Sequence, residues 1–378
     1  MAHTPSWPRP SLGTPVLLGW VARHNVAVFA AISVVAVVLT LWLGRDLTFF
    51  MDECDFLNER DPSSLSSLLA PHNEHWMTIP LIAYSGIVAA FGVGSYLPFL
   101  GFLSLVHVIT AAGVLALLRP AGYALGAAVL LLFLGSGYEN QFWAFQIGFV
   151  GATGFGIWAM VAARAGRPAL AACLLTASAA TQLNGLAFIP AVAVMSARRR
   201  DVLWLALPIL TFVAWYLAFG RQAVGIHRDP FMVEAIAMVP GFVAGSIHST
   251  VGRMSGLGQT STLIVLAGLG VAAAVATWRG WRPSRLVVAG AVGLVVLFGI
   301  IGLGRAHIPG FAPRYVTPAA PFLFALFAPL FALRGRVPHV LAGILFAVAL
   351  SSNLLAMRDG AAQMAYLETT DLRCEPDR

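Results

Sequence analysis

Residues 51–60 read MDECDFLNER, so Asp52, Glu53 and Asp55 stand within one helical turn of each other just past the apolar run VAVFAAISVVAVVLTLWLG. A carboxylate so placed can take a proton from an attacking hydroxyl, which is general-base chemistry. Two acids this close push one pKa upward unless a cation compensates. The stretch PHNEHW follows, with His72, Asn73, Glu74 and His75. His72 and His75 share a face if the chain is helical there, and Asp52, His72 and His75 together could hold a divalent metal ion, the one cofactor the sequence suggests. GYENQFWAFQ at 137–146 interrupts apolar sequence with Glu139, Asn140, Gln141 and Gln146, and GRAHIPGFAPRY at 304–315 brings Arg305, His307, Arg314 and Tyr315. Arginine suits phosphate because its planar fork offers paired donors and stays charged. Carboxylates that can take a proton and arginines that can hold an anion thus recur in the same few polar stretches.

The elements that must position these residues are membrane helices. With 59% hydrophobic and 10% charged residues over 378 positions and a mean hydropathy of +0.82, the chain cannot present the polar surface of a soluble domain. All 23 basic residues are arginine, scattered between apolar runs rather than gathered in a stripe, which argues against nucleic acid as a partner despite the +7 charge. Apolar runs at about 26–44, 97–117, 121–136, 147–163, 202–219, 260–277, 286–303, 315–333 and 338–356 are near the ~20 residues that cross a ~30 Å core. With the two arms of a hairpin at 164–200 the reading is an all-α polytopic bundle of about 11 spans, with 79–94 and 233–250 interfacial or re-entrant. Counting those two segments as spans gives the alternative of 13.

Placing 13 of the arginines on the cytoplasmic side and 10 outside puts the acids of 51–61 outside. The organisation predicted is a cytoplasmic segment 1–25 without a cleaved signal, one transmembrane domain 26–356 with a first extracytoplasmic loop 45–78, and an extracytoplasmic tail 357–378. In that loop DPSSLSSLLA predicts a short surface helix, capped by Asp61 with Pro62 at its first position, carrying Leu65, Leu68 and Leu69 on one face and ending before Pro71. The hairpin arms, 168–180 and 186–197, are too short to reach the far surface, so the tip with Gln182 and Asn184 either lines a polar cavity or forms a turn capped by neighbouring helices. Cys54 and Cys374 share the oxidising side in this topology, where they are either bridged or two free thiols; Cys173 sits in a hairpin arm.

The acidic pair after the first span, the loop with HNEH, ENQFWAFQ, the NGL hairpin and the late GR…PRY loop together resemble bacterial members of the GT-C superfamily, integral-membrane glycosyltransferases. The resemblance covers most of the chain and rests on the ensemble of short motifs. It implies a polyprenyl-phosphate-linked sugar as donor and a cell-envelope glycan or glycolipid as acceptor. It also implies a site at the extracytoplasmic face of the inner membrane, and a first-loop acid, Asp52 before Glu53 or Asp55, as catalytic base. Glu74, Asn73, the 139–146 amides, the hairpin tip and the 305–315 loop are then the substrate-binding candidates. A transporter or flippase of lipid-linked sugars would instead show internal repeats and paired broken helices. The sequence has one broken hairpin and no clear repeat. A noncatalytic assembly subunit would not need its acids to face a cavity.

Overall fold

A computed structural model describes residues 24–119, 122–196, 198–222, 232–308, 310–333 and 336–369. The expectations for most of the N-terminal segment, for Arg9, Arg23 and Arg334, and for the tail beyond 369 lie outside them. Helix is the dominant structure of the described residues, which form no strands, and eight helices among them are long and apolar enough to cross a membrane. In chain order the principal helices are α1 (Asn25–Leu43), α2 (Leu65–Leu69), α3 (Thr78–Phe91), α4 (Leu97–Leu118), α5 (Ala124–Leu132), α6 (Ile147–Arg164), α7 (Pro168–Ala179), α8 (Phe188–Met195), α9 (Ala206–Ala218), α10 (Met232–Ser255), α11 (Gly258–Trp278), α12 (Arg285–Arg305), α13 (Val316–Leu326) and α14 (Arg336–Glu368).

The count falls short of 11 because three of the expected spans are short. The run at 121–136 forms only the nine residues of α5 and then breaks at Gly135–Gly137. That break is set by packing: a Cβ on Gly135 would lie 2.1 Å from the Asn353 carbonyl oxygen and 2.2 Å from the Met357 nitrogen, so only glycine lets the turn rest on α14. Asn353 ties the junction, accepting from the Ser136 N–H and donating to the Met254 carbonyl. The other two are the hairpin arms α7 and α8. The segment 233–250 lies inside one 24-residue helix, α10, which is not among the eight span candidates and does not break as a re-entrant stretch would. α14 runs on through residue 357 to Glu368 with Met357, Ala361 and Met364 buried, so the expected domain boundary at 357 is not a break.

Burial sorts the helices. Of the Ala144–Arg164 window 78% is buried and of the Pro313–Ala332 window 67%, against 22% for α1, so α6 and α13 are central and α1 keeps an apolar face outward. Small residues let the central helices approach, as expected where no hydrophobic force distinguishes helix from lipid. A Cβ on Gly154 would meet the Thr110 hydroxyl of α4 at 2.5 Å, and one on Gly156 the Phe188 ring of α8 at 2.2 Å. Arginines cap the far ends of the spans: Arg164 donates to the Ala116 and Leu117 carbonyls that end α4, and Arg285 to the Ser196 carbonyl that ends α8. The opposite end of the bundle carries the acids.

Candidate functional site

The chain leaves α1, turns, and at Met51 takes φ 53°, a left-handed conformation unusual for a side-chain-bearing residue. A short helical turn over Asp52–Cys54 and Asp55–Glu59 follows. This geometry sends neighbouring acids to opposite fates. Glu53 is fully buried: Tyr84 Oη (2.6 Å), Tyr96 Oη (2.9 Å) and the Phe145 N–H (3.1 Å) donate to Oε1, and the Phe50 N–H (3.1 Å) to Oε2. It ties the first loop to α3, to the start of α4 and to the broken stretch 139–146. Glu53, the alternative base, is thus a buried hub held by four donors, because its alternation with Asp52 turns it inward.

Burial pushes the Glu53 carboxyl from an ordinary 4.5 up to about 8, although four donors pull it down. A raised folded-state pKa means that the folded protein binds a proton the unfolded chain has lost, so this contribution is complete below 4.5 and is lost as pH rises through 8. Glu53→Gln removes the titration and sets its amide nitrogen against one N–H donor, costing about 1–3 kcal/mol. The melting-temperature gap between wild type and Glu53→Gln in detergent is expected to narrow as pH is raised from 5 toward 8, and a constant gap would contradict it.

Asp52 and Asp55 stay at the surface, with side chains 32% and 44% exposed. His72, 5% exposed, lies behind them, its Nε2 3.8 Å from Asp52 and its Nδ1 3.8 Å from Asp55. The rings of Phe56 (5.3 Å) and Phe145 (5.2 Å) hold it in place. Burial, with Glu59 and Asp52 nearby, pushes the Asp55 carboxyl up, while His72 and Arg60 hold it back. Neither Arg45 nor Arg60 forms an ion pair with these acids. Arg45 turns to Asp46 and the Trp42 carbonyl, and Arg60 spends its guanidinium on the carbonyls of Ser67, Ala70 and Pro71.

Those Arg60 bonds cap the C-terminus of α2, the predicted surface helix, which begins at Leu65 after Ser64 rather than at Asp61. Asp61 instead closes a turn by accepting from the Ser63 N–H and hydroxyl, which delays the helix by three residues. His72 and His75 are not helical either. They exchange both backbone hydrogen bonds across a tight turn with the exposed Asn73 at φ 50°, because Pro71 ends the helix before them.

His75 therefore faces Glu74 (3.7 Å) rather than the acids, and burial pushes its imidazole down. The expected ligand set Asp52, His72 and His75 becomes Asp52, Asp55 and His72, whose donor atoms lie within 4.8 Å of one another. The buried His72 Nε2 has no hydrogen-bond partner, so the set fits a cation with mixed oxygen and nitrogen preference such as Mn²⁺ or Zn²⁺. Such an ion would polarise an acceptor oxygen or offset phosphate charge. Adding Mn²⁺ or Zn²⁺ at 100 times its Kd is expected to stabilise wild type by about 2.7 kcal/mol. Asp55→Asn and His72→Gln should abolish that thermal shift, and equal shifts in all three proteins would dismiss the site.

Around this cluster stand the later candidates. Arg305, with its side chain 40% exposed, is 3.9 Å from Glu74. Arg314 is bound at 2.9 Å to Glu139, lies over the buried Tyr315 ring, and interacts electrostatically with Asp52. Asn140 donates to the Arg314 carbonyl. His307 is exposed on the 306–312 loop.

Five amides do not join the site. Gln141 and Asn140 border a small void beside His107 and Ser104. Gln146, Gln182 and Asn184 are buried at 1%, 1% and 3% exposure. The hairpin tip thus lines no open cavity: Gly185 packs against Ser178, and Asn184 donates to the Phe149 carbonyl, which closes the tip onto α6.

Cys54 is disulfide-bonded and Cys173 is free; the expected pairing with Cys374 involves a residue outside the described ones. Sequence reasoning missed Tyr84 and Tyr96 as partners of Glu53, since nothing local marks a tyrosine as aimed at a carboxylate 31 or 43 residues away. It also missed Asn353, whose place in an apolar helix was the available signal.

The fold and site define a helical membrane protein with an acidic and imidazole cluster at one end of its bundle. Comparison with protein-family models, with curated proteins and with solved structures finds no match for this chain.

Proposed function

We propose that the protein is a GT-C-type membrane glycosyltransferase that moves a sugar from a polyprenyl-phosphate donor to a hydroxyl of a cell-envelope glycan or glycolipid. The observation that carries this reading is the division between neighbouring acids: Asp52 is accessible, backed by His72 and within electrostatic reach of Arg314, while Glu53 is sequestered. In the reaction the acceptor oxygen attacks the anomeric carbon as its proton passes to the Asp52 carboxylate. The bond from that carbon to the phosphate oxygen breaks, and its electron pair leaves on the phosphate. Arg305, half-exposed and only loosely held by Glu74, is the cation free to meet that charge.

The disulfide at Cys54 supports an extracytoplasmic, oxidising location for this end of the bundle. The arginine-capped ends of α4 and α8 support a cytoplasmic location for the other. The test is transfer of radiolabelled sugar from polyprenyl-phosphate donors to membrane glycans by purified protein. Arg305→Ala is expected to lower kcat/KM for donor about tenfold, as for one charge-assisted contact in a partly exposed setting. Transfer undetectable with every donor would remove the reading.

A further inference from the structure

At the end of the bundle opposite the acids, the turn at 166–168 and the stretch 198–207 border a groove of about 600 Å³. Arg198, Arg200 and Asp201 line its polar side, and Leu203, Trp204 and Leu207 its apolar side. Other arginines at this end are committed, Arg164 to the carbonyls that end α4 and Arg285 to the one that ends α8. Arg198 and Arg200 are exposed and, among the described residues, make no ion pair, even with Asp201 beside them in the chain. Two guanidinium groups against one carboxylate leave the groove positive, and their planar forks suit phosphate oxygens.

The apolar side narrows the choice of anion. Leu203 and Trp204 are 75% and 49% exposed. Leu210 and Leu217, 65% and 56% exposed, follow Leu203 at steps of seven residues, which keeps an apolar face turned outward along the helix from the groove onward. Within α9 itself only Pro208 and Trp215 are buried. A soluble anion gains nothing from that face, whereas a molecule with an anionic head and acyl chains matches both sides of the groove at once. Trp204 stands between them, where an indole is expected at the boundary of headgroups and hydrocarbon.

The groove is separate from the candidate active site. From Trp204 to Trp215 the helix rises about 17 Å. Trp215 then stacks at 5.2 Å on Trp76 and donates to the Leu69 carbonyl, in the loop that carries His72. A ligand in the groove would therefore brace one end of α9 while this loop holds the other.

We infer that the groove binds the headgroup of an anionic glycerophospholipid, with its phosphate at Arg198 and Arg200 and its acyl chains along Leu203, Leu207 and Leu210. The inference does not depend on the glycosyltransferase reading.

The experiment uses the full-length protein in phosphatidylcholine nanodiscs that carry a trace of one of two probes, a phosphatidylglycerol or a phosphatidylcholine, each with a diazirine at the top of one acyl chain. Phosphatidylglycerol is expected to label the peptide 199–210 in preference to phosphatidylcholine. Arg198→Gln combined with Arg200→Gln should cut that preference by about fivefold for each arginine. Arg279→Gln combined with Arg282→Gln removes the same charge from exposed positions near Arg285 that do not line the groove, and should leave the labelling unchanged. All four arginines are exposed, so both double variants should melt in detergent as wild type does.

Equal labelling by the two probes would reduce the groove to ordinary boundary lipid. An equal loss in the two double variants would reduce it to diffuse surface charge, and displacement of the probe by inorganic phosphate alone would make the ligand a soluble anion. Each of these results overturns the inference.

Discussion

Asp52→Asn is expected to lower sugar-transfer turnover by about 10²–10⁴-fold, the range for loss of a positioned general base. The substitution keeps shape and volume and removes basicity. Since Asp52 makes no short hydrogen bond to His72, standing 3.8 Å away, the melting temperature should change little. Donor binding should also survive, which separates a chemical defect from a folding one. Asp55→Asn is the informative companion, because Asp55 is equally close to His72 but more exposed. A variant at Asp52 with wild-type turnover, beside an inactive one at Asp55, would move the base by one turn. Full activity in both would end the glycosyltransferase proposal.

Arg314→Ala carries the largest expected effect on stability. Its 2.9 Å pair with Glu139 leaves the acid only 13% exposed, so removing the cation strands a carboxylate among α13 and the 139–146 stretch. Breaking such a pair is expected to cost about 3 kcal/mol, the lower end for buried ion pairs, because Arg314 keeps 27% of its side chain in contact with solvent. Adding Glu139→Gln to Arg314→Ala should recover part of that loss, since no unpaired charge then remains. Denaturant unfolding of the two variants in detergent measures this. A single variant as stable as wild type would show that the pair is already solvated, and would return Arg314 to the phosphate-binding role that its motif suggested.

The residues of the site were largely legible in the sequence, and their roles were not. Acids, imidazoles and arginines stand out against apolar runs because a membrane protein has little reason to keep ionisable groups at span ends unless they meet water or substrate. That argument picked out Asp52, Asp55, His72, Arg305 and Arg314 together. It could not see that Arg314 turns to Glu139, 175 residues earlier in the chain, because an ion pair between distant loops leaves no local periodicity.

What the sequence by itself determined is the helical, membrane-protein class and the position of most of its long apolar helices: hydropathy over windows of helix length reports the cost of placing each segment in lipid, and that cost is local. It also placed the breaks near Pro71 and in the hairpin, where backbone chemistry acts over a few residues. The tertiary structure alone decided which of the adjacent acids stays at the surface. Asp52 and Glu53 differ by one position and one methylene, but four donors from Tyr84, Tyr96, Phe50 and Phe145 converge only on the second. Burial is a property of everything packed around a side chain, so the division between a surface acid and a buried hub emerges only when the helices that supply those donors are in place.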